Sequence, residues 1–275
     1  MTTPLITMSS GYIGSVNSWL KLWHEIIYMK KDIIQLQKSE YDKNFSEKQL
    51  LCLESIILNF EVVELSENGK FTKSIMDFYY SGSDRILCAL MDQLDRTKNL
   101  NKFFQLSKLE TIKNLNKIHA KYFKNSLVEG IRSGNTKDWQ YYKFDFEKYY
   151  QYREFGAGQW AYCYEPKWKD YFSNSLVIGY FNVGQLIWVI PDQVTKDGEW
   201  EALICTPSAD NSVERYCSFA ELIFYSVICG LFFPSLESVK KNEIIDHLAS
   251  ILFDLDVIKN QKRPNWSEWE LIKPK

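Results

Sequence analysis

The sequence predicts an α+β fold, in which an N-terminal helical bundle is followed by a mostly antiparallel sheet packed with helices. In the first half of the chain, apolar residues recur every three to four positions, as in helices buried on one face. In the second half they run continuously or alternate over short stretches between turn residues, as in strands. The 275 residues suffice for one large domain or two ordinary ones.

Four or five helices are expected in the first half. The first carries apolar residues at helical spacing from residue 19 to residue 36. Ser46-Glu47-Lys48-Gln49 has the form of a capping box, which predicts a helix that begins at Ser46. Asp84 is a good capping residue for a further helix, and a second capping box at residues 107–110 predicts the last one.

Strand patterns dominate the second half as far as residue 205. They cover residues 160–164, 176–181, 185–190 and 199–205. Short turns at residues 182–184 and 195–198 connect the last three, so we expect antiparallel hairpins. Ser218 is expected to cap a buried helix, and a last amphipathic helix carries apolar residues from Leu236 to Leu255.

A dense aromatic stretch lies in the middle of the chain. Seventeen of the 43 aromatic residues fall between Trp139 and Phe181. Residues 1–137 carry 19 basic and 15 acidic side chains, a balance of +4, whereas residues 138–275 carry 14 basic and 20 acidic ones, a balance of −6. Because the charge changes where the aromatic stretch begins, we predict a helical domain over residues 1–137 and an aromatic-rich α+β domain over residues 138–275.

No catalytic motif stands out. His24, His119 and His247 lie on three separate expected helices, so they do not converge as zinc ligands must. The glycine-rich residues 156–158 precede a strand rather than a helix, which argues against a dinucleotide site. Glu243 shares a helix face with His247, a pattern more typical of solvated charges. We therefore predict no enzymatic activity, metal or cofactor; the alternative is an enzyme whose site is assembled only in three dimensions.

The cysteine and apolar patterns predict a cytoplasmic protein. The six cysteines include no C-x-x-C pair, and the N-terminus lacks the basic and apolar regions of a secretory signal, so we expect reduced thiols. The longest largely apolar run covers residues 222–233, which is shorter than the roughly 20 residues needed to span a bilayer. We expect this run to be a buried helix and predict no membrane segment.

The aromatic stretch has three interpretations. Alternation at Tyr142, Phe144 and Phe146 fits a sheet face packed into a core. Stacking on single-stranded nucleic acid is disfavoured, because Asp145 and Glu147 would repel phosphates. Aromatic residues interleaved with carboxylates also suit a basic protein partner, because rings anchor an interface and charges speed encounter.

A stripe of four lysines at helical spacing is a separate candidate for binding nucleic acid. Such a stripe could track phosphates, although it is more often a solvated helix face. The four lysines are Lys113, Lys117, Lys121 and Lys124.

An ordered pattern of strand, glycine, hairpin and Ser-Phe-led helix runs through residues 175–224. It consists of Leu176-Val177-Ile178-Gly179, Gly184-Gln185-Leu186-Ile187-Trp188-Val189, Asp197-Gly198-Glu199 and Ser218-Phe219-Ala220-Glu221-Leu222-Ile223. This pattern resembles the SUKH superfamily of toxin-immunity and cell-wall-regulator proteins. The chain departs from the family at Gln185, where an Asp is common, and in its long helical first half.

The resemblance implies a cytoplasmic, non-catalytic protein that binds and blocks a toxin delivered by a neighbouring cell. The acidic and aromatic residues favour a cognate toxin with a basic active-site surface, which the protein would occlude. A nucleic-acid-associated regulator that uses the lysine stripe is a further alternative. The candidate partner-binding residues combine the aromatic stretch with carboxylates of the hairpin loops. They are Trp139, Tyr141, Asp145, Glu147, Tyr149, Tyr150, Asp192, Asp197 and Glu199.

Overall fold

The chain forms two compact units, and the computed structural model describes residues 8–60, 71–96, 104–106, 176–181, 185–205, 213–233 and 243–261. The helical unit comprises Ser9–Lys102 and Ser218–Lys262, and the sheet unit comprises Met1–Met8, Phe103–Cys217 and Arg263–Lys275. The predicted α+β class is confirmed, because helices precede an antiparallel sheet that is followed by further helices. The predicted domain boundary between residues 137 and 138 lies outside the described residues.

The helical unit draws its helices from both ends of the chain. The helices before residue 100 are α1 (Val16–Tyr28), α2 (Lys30–Gln35), α3 (Glu40–Leu58), α4 (Lys73–Tyr80) and α5 (Ser83–Arg96). The later elements are α6 (Phe219–Leu222), a π-helix (Ile223–Ile228), α7 (Cys229–Phe232), α8 (Glu243–Ser250) and α9 (Leu255–Asn260). None of the described helices is both long enough and apolar enough to cross a membrane.

Serine hydroxyls cap several of these helices. Ser15 Oγ accepts a hydrogen bond from Ser18 N at the start of α1. Ser218 Oγ accepts one from Glu221 N over 3.1 Å, so the predicted cap of the buried helix is confirmed. A serine oxygen in this position satisfies one of the backbone N–H groups that the first helical turn leaves without an intrahelical acceptor.

The predicted helix start at Ser46 is wrong. α3 begins at Glu40, and its cap is Ser39, whose Oγ accepts from Asp42 N over 3.0 Å. Ser46 lies in the second turn of α3, where the backbone N–H groups already have carbonyl partners. A Ser-x-x-Gln pattern therefore does not mark a helix start when a competent cap precedes it by two turns.

An aromatic cluster holds the N-terminal and C-terminal helices of the helical unit together. The ring of Phe78 in α4 lies edge-to-face with Trp19 in α1 at 4.9 Å and with Phe219 in α6 at 5.3 Å between centroids. All three side chains are fully buried. Edge-to-face pairs add about 0.5–1.5 kcal/mol each to the stabilisation from burial. The helices after residue 218 thus share the core of those before residue 97.

Residues 9–14 form a segment, here called the strap, which hydrogen-bonds to the C-terminal part of the helical unit. The N–H groups of Ile13 and Gly14 both donate to Leu252 O, and Asp254 N donates to Gly11 O over 2.8 Å. Gly11 has φ +66°, and a side chain at this position would meet Ile258 at 2.9 Å. Glycine is required here because both the left-handed backbone and the close approach exclude a Cβ.

The sheet unit contains an antiparallel sheet in which each strand pairs with the next along the chain. Its order is β1 (Phe104–Leu106), β2 (Leu176–Phe181), β3 (Gln185–Val194), β4 (Trp200–Cys205) and β5 (Val213–Tyr216). The predicted strands at residues 176–181, 185–190 and 199–205 are confirmed, whereas β1 and β5 were not expected. The predicted strand at residues 160–164 lies outside the described residues.

Strand β3 is buried on both of its faces. Ile187 and Val189 point to one face and Trp188 and Ile190 to the other, and none of the four is more than 3% exposed. A continuous apolar run rather than a strict alternation is the sequence pattern of such a strand. This burial fixes the position of β3, which is the first arm of the hairpin that it forms with β4.

Candidate functional site

The described part of the predicted site is the β3–β4 hairpin, which comprises β3, β4 and the turn at residues 195–199. It contains Asp192, Asp197 and Glu199. The other six predicted contact residues lie outside the described residues. They are Trp139, Tyr141, Asp145, Glu147, Tyr149 and Tyr150.

Thr195 clamps the two arms of the hairpin together. Its N–H donates to Glu199 O over 2.9 Å. Its hydroxyl both donates to Glu199 O over 3.1 Å and accepts from Glu199 N over 3.0 Å. The Thr195 side chain is buried, so water does not compete for these bonds. The clamp fixes where the turn leaves one strand and enters the other.

The tip of the turn is exposed and has a defined backbone. Lys196, Asp197 and Gly198 are exposed, and Gly198 N donates to Thr195 O over 3.0 Å. Gly198 has φ +87°, a conformation that other residues adopt only at a cost. Within the sheet unit, Lys196 N also donates to Met8 O over 2.9 Å. The Asp-Gly pair predicted as a turn therefore presents Asp197 to solvent.

The two carboxylates of the turn occupy different environments. Asp197 is exposed at the tip, whereas Glu199 is only 3% exposed at the base of the turn. Asp192 follows Pro191 in a bulge, where the pairing of β3 with β4 shifts between Ile190 and Val194. Proline lacks a backbone N–H and is tolerated where a bulge interrupts the ladder. Asp197 is thus the hairpin carboxylate that the structure places at the surface of the turn.

Thr195→Val should destabilise the sheet unit by about 1–2 kcal/mol, because valine keeps the branched shape but removes both hydroxyl hydrogen bonds and leaves the buried Glu199 N–H without that acceptor. Urea unfolding followed by tryptophan fluorescence measures the effect. Thr195→Ser, which keeps the hydroxyl, is the matched control and should retain most of the stability. Equal midpoints for the valine and serine variants would show that the two hydroxyl bonds of the clamp contribute nothing.

A buried ion pair lies next to the turn. Glu201 in β4 is fully buried, and its Oε1 accepts a hydrogen bond from Arg215 Nε in β5. Arg215 is paired with Leu203 in the register of β4 and β5, so these two side chains lie on the same face of the sheet. Glu201, two residues before Leu203 in β4, lies on that face too. Arg215 is not among the residues for which the sequence predicts a role. The available signal was a carboxylate inside an apolar strand, because a charge in such a place needs a partner.

The histidine and carboxylate pattern on α8 lies on a solvated face. Glu243 and His247 are both exposed, and His247 Nε2 lies 3.5 Å from Glu25 Oε2. His24 is exposed on α1. Within the described ranges, no group of three or more histidine, cysteine, aspartate or glutamate side chains is arranged to hold a metal ion.

Burial perturbs several titratable groups in the core of the helical unit. Burial, and then repulsion from the Asp84 carboxylate, raises the pKa of Tyr79. Burial also raises the pKa of Asp84, although the backbone N–H and the charge of Arg85 oppose the shift. The pKa of Cys229 is raised by burial alone. Since the thiolate is the reactive form of cysteine, Cys229 is a core residue and not a nucleophile.

The remaining predicted surface, the stripe from Lys113 to Lys124, lies outside the described residues. Comparisons with protein-family models, with curated proteins and with solved structures give no match to this chain.

Proposed function

We propose that this protein is a cytoplasmic immunity protein, which binds a cognate protein toxin and neutralises it by covering its active site. The observation that carries the proposal is the exposed tip of the β3–β4 hairpin, with Asp197 at its surface on a clamped base. The proposed interface joins this tip to the aromatic and acidic residues at positions 139–150.

The construction of the hairpin supports a role in binding. A loop that is already ordered loses little conformational entropy when it meets a partner, so more of the contact energy appears as affinity. The Thr195 clamp and the buried β3 supply that order. Glu199 holds the turn through its backbone N–H and C=O, and its side chain is buried. Asp197, which is exposed, makes the proposed contact.

The charge of the second half supports a basic partner. Residues 138–275 have a balance of −6, and Asp145 and Glu147 stand among tyrosines and a tryptophan. Aromatic residues provide most of the energy in many interfaces, whereas surrounding charges mainly set the rate and the choice of partner. A toxin that acts on nucleic acid or another anionic substrate would present the complementary basic surface.

The order of elements supports the proposal at the level of fold. The resemblance to the SUKH superfamily implies a strand, a hairpin and a Ser-Phe-led helix, and β2, β3, β4 and α6 follow in that order. Because one fold can host several functions, a binding measurement tests the function that this order implies.

Asp197→Lys is expected to weaken binding to the toxin encoded by the neighbouring gene roughly tenfold, because it places a cation against a basic surface. Isothermal titration calorimetry with the two purified proteins measures the change. The matched control is Glu47→Lys, the same change of charge at an exposed position on α3 in the helical unit. It should leave the affinity almost unchanged.

Two results would count against the proposal. If the unmodified chain shows no binding to the neighbouring toxin, the immunity function itself is wrong. If Asp197→Lys and Glu47→Lys weaken binding equally, the partner responds to net charge alone and the hairpin is not the contact.

A further inference from the structure

The inner face of α3 carries two polar residues at core positions. Ser46 and Gln49 are both fully buried, alongside Leu50 and Leu53 on the same helix. α3 packs against α1, α2, α5 and α7 within the helical unit. The positions three residues apart place the two polar side chains next to each other, with Cβ atoms about 5–6 Å apart.

These polar groups have no protein partner in the described part of the chain. Neither the Ser46 hydroxyl nor either end of the Gln49 amide is hydrogen-bonded there. Three buried polar atoms without partners would destabilise the fold, because moving an amide or a hydroxyl out of water is unfavourable unless a hydrogen bond replaces those to water. Native proteins avoid this cost, and buried polar groups that lack a protein partner are typically bonded to internal water.

Gln37 shows how a buried glutamine in this unit is satisfied directly. It is 3% exposed, and its Nε2 donates to Ile33 O over 3.2 Å and to Phe232 O over 2.9 Å. The side-chain amide of Gln37 thus uses both of its hydrogens on backbone carbonyls. Gln49 has the same chemistry and is also buried, but it has no such acceptor among the described residues, so the two glutamines form a matched pair.

We propose that Ser46 and Gln49 form an internal hydration site, in which ordered water bridges the Gln49 amide and the Ser46 hydroxyl. Water is the ligand that fits this chemistry, because the site offers a donor, an acceptor and a hydroxyl that serves as either. A water bound there would gain the two to four polar partners that internal waters have. With water bound, neither the Ser46 hydroxyl nor the Gln49 amide is unpaired, although both lie at core positions of α3.

Nuclear magnetic resonance of the full chain tests the proposal with water itself as the probe. The protein is deuterated, labelled with ¹⁵N-glutamine and dissolved in ordinary water. The side-chain NH₂ of Gln49 should show nuclear Overhauser and rotating-frame cross-peaks of opposite sign to water, as expected for a water that tumbles with the protein. The NH₂ of Gln37 should show none. Absence of these cross-peaks at Gln49 would overturn the proposal.

The opposite signs of the two cross-peaks separate bound water from proton exchange, and two variants test the bridge and the alternative of an amide that is simply unpaired. Ser46→Ala should weaken the water cross-peaks of Gln49, because the bridge loses one partner. Gln49→Met, nearly equal in volume, should lower the Tm by about 2–6 °C, because the site loses its water-bonded amide. A rise in Tm would instead mean that removing the amide relieves an unpaired polar group, and would also contradict the proposal.

Discussion

Phe219→Ala is expected to destabilise the helical unit by about 3–5 kcal/mol, the usual cost of removing a fully buried phenylalanine ring. The ring contacts Phe78 edge-to-face and lies stacked on Tyr79 at 6.4 Å, so the cavity opens against α4. Amide hydrogen exchange in native conditions measures the effect. Exchange should accelerate in α4, although Lys73–Tyr80 lies far from position 219 in the sequence.

Tyr28→Ala is the control for this prediction, because that aromatic side chain is 85% exposed and its removal should change stability by less than about 0.5 kcal/mol. If Phe219→Ala accelerates exchange only in residues 219–232 and leaves α4 protected, the inference that α4 and α6 share one core is wrong.

Arg215→Met should destabilise the sheet unit by about 3–5 kcal/mol, because it leaves the fully buried Glu201 carboxylate without its cation. The double variant Glu201→Leu with Arg215→Met should recover most of the loss, since it replaces both charges by apolar groups. Urea unfolding of the single and double variants measures the coupling between the two positions. A double variant as unstable as Arg215→Met would mean that the arginine stabilises the sheet through packing rather than by pairing with Glu201.

The local patterns of the sequence predicted the elements whose signals lie within a few residues. Ser218 precedes an apolar run and caps a helix, and the Asp-Gly pair at residues 197–198 forms the turn between two apolar strands. The four-residue β5 escaped prediction because Val213–Tyr216 contains two charged residues. Its place in the sheet depends on pairing with β4, and partly on the ion pair with Glu201, which no local pattern records.

The sequence patterns also did not predict two interruptions of helices. The apolar period from residue 19 to residue 36 continues through Met29, yet α1 ends at Tyr28 and α2 begins at Lys30. The expected last helix is interrupted between Ser250 and Leu255, where Asp254 Oδ1 accepts from Asp256 N and Val257 N and starts α9. At this interruption Leu252 O and Asp254 N bond to the strap, so tertiary hydrogen bonds replace the helical ones.

The turn between β3 and β4 was predictable in position, but the direction of each of its side chains was not. Strand alternation cannot be carried from Ile190 to Glu199, because the bulge adds residues to β3 that β4 does not match. Glu199 consequently lies buried at the base of the turn while Asp197 is exposed at its tip. The spacing of the carboxylates along the chain does not indicate that difference.

An inhibition titration tests the proposed function most directly. The purified toxin encoded by the neighbouring gene is assayed for its own activity while the full chain is added. Because occlusion by a tight inhibitor is stoichiometric, activity should fall in proportion to added protein and vanish near about one equivalent. Full toxin activity in the presence of about ten equivalents of the chain would contradict the immunity function.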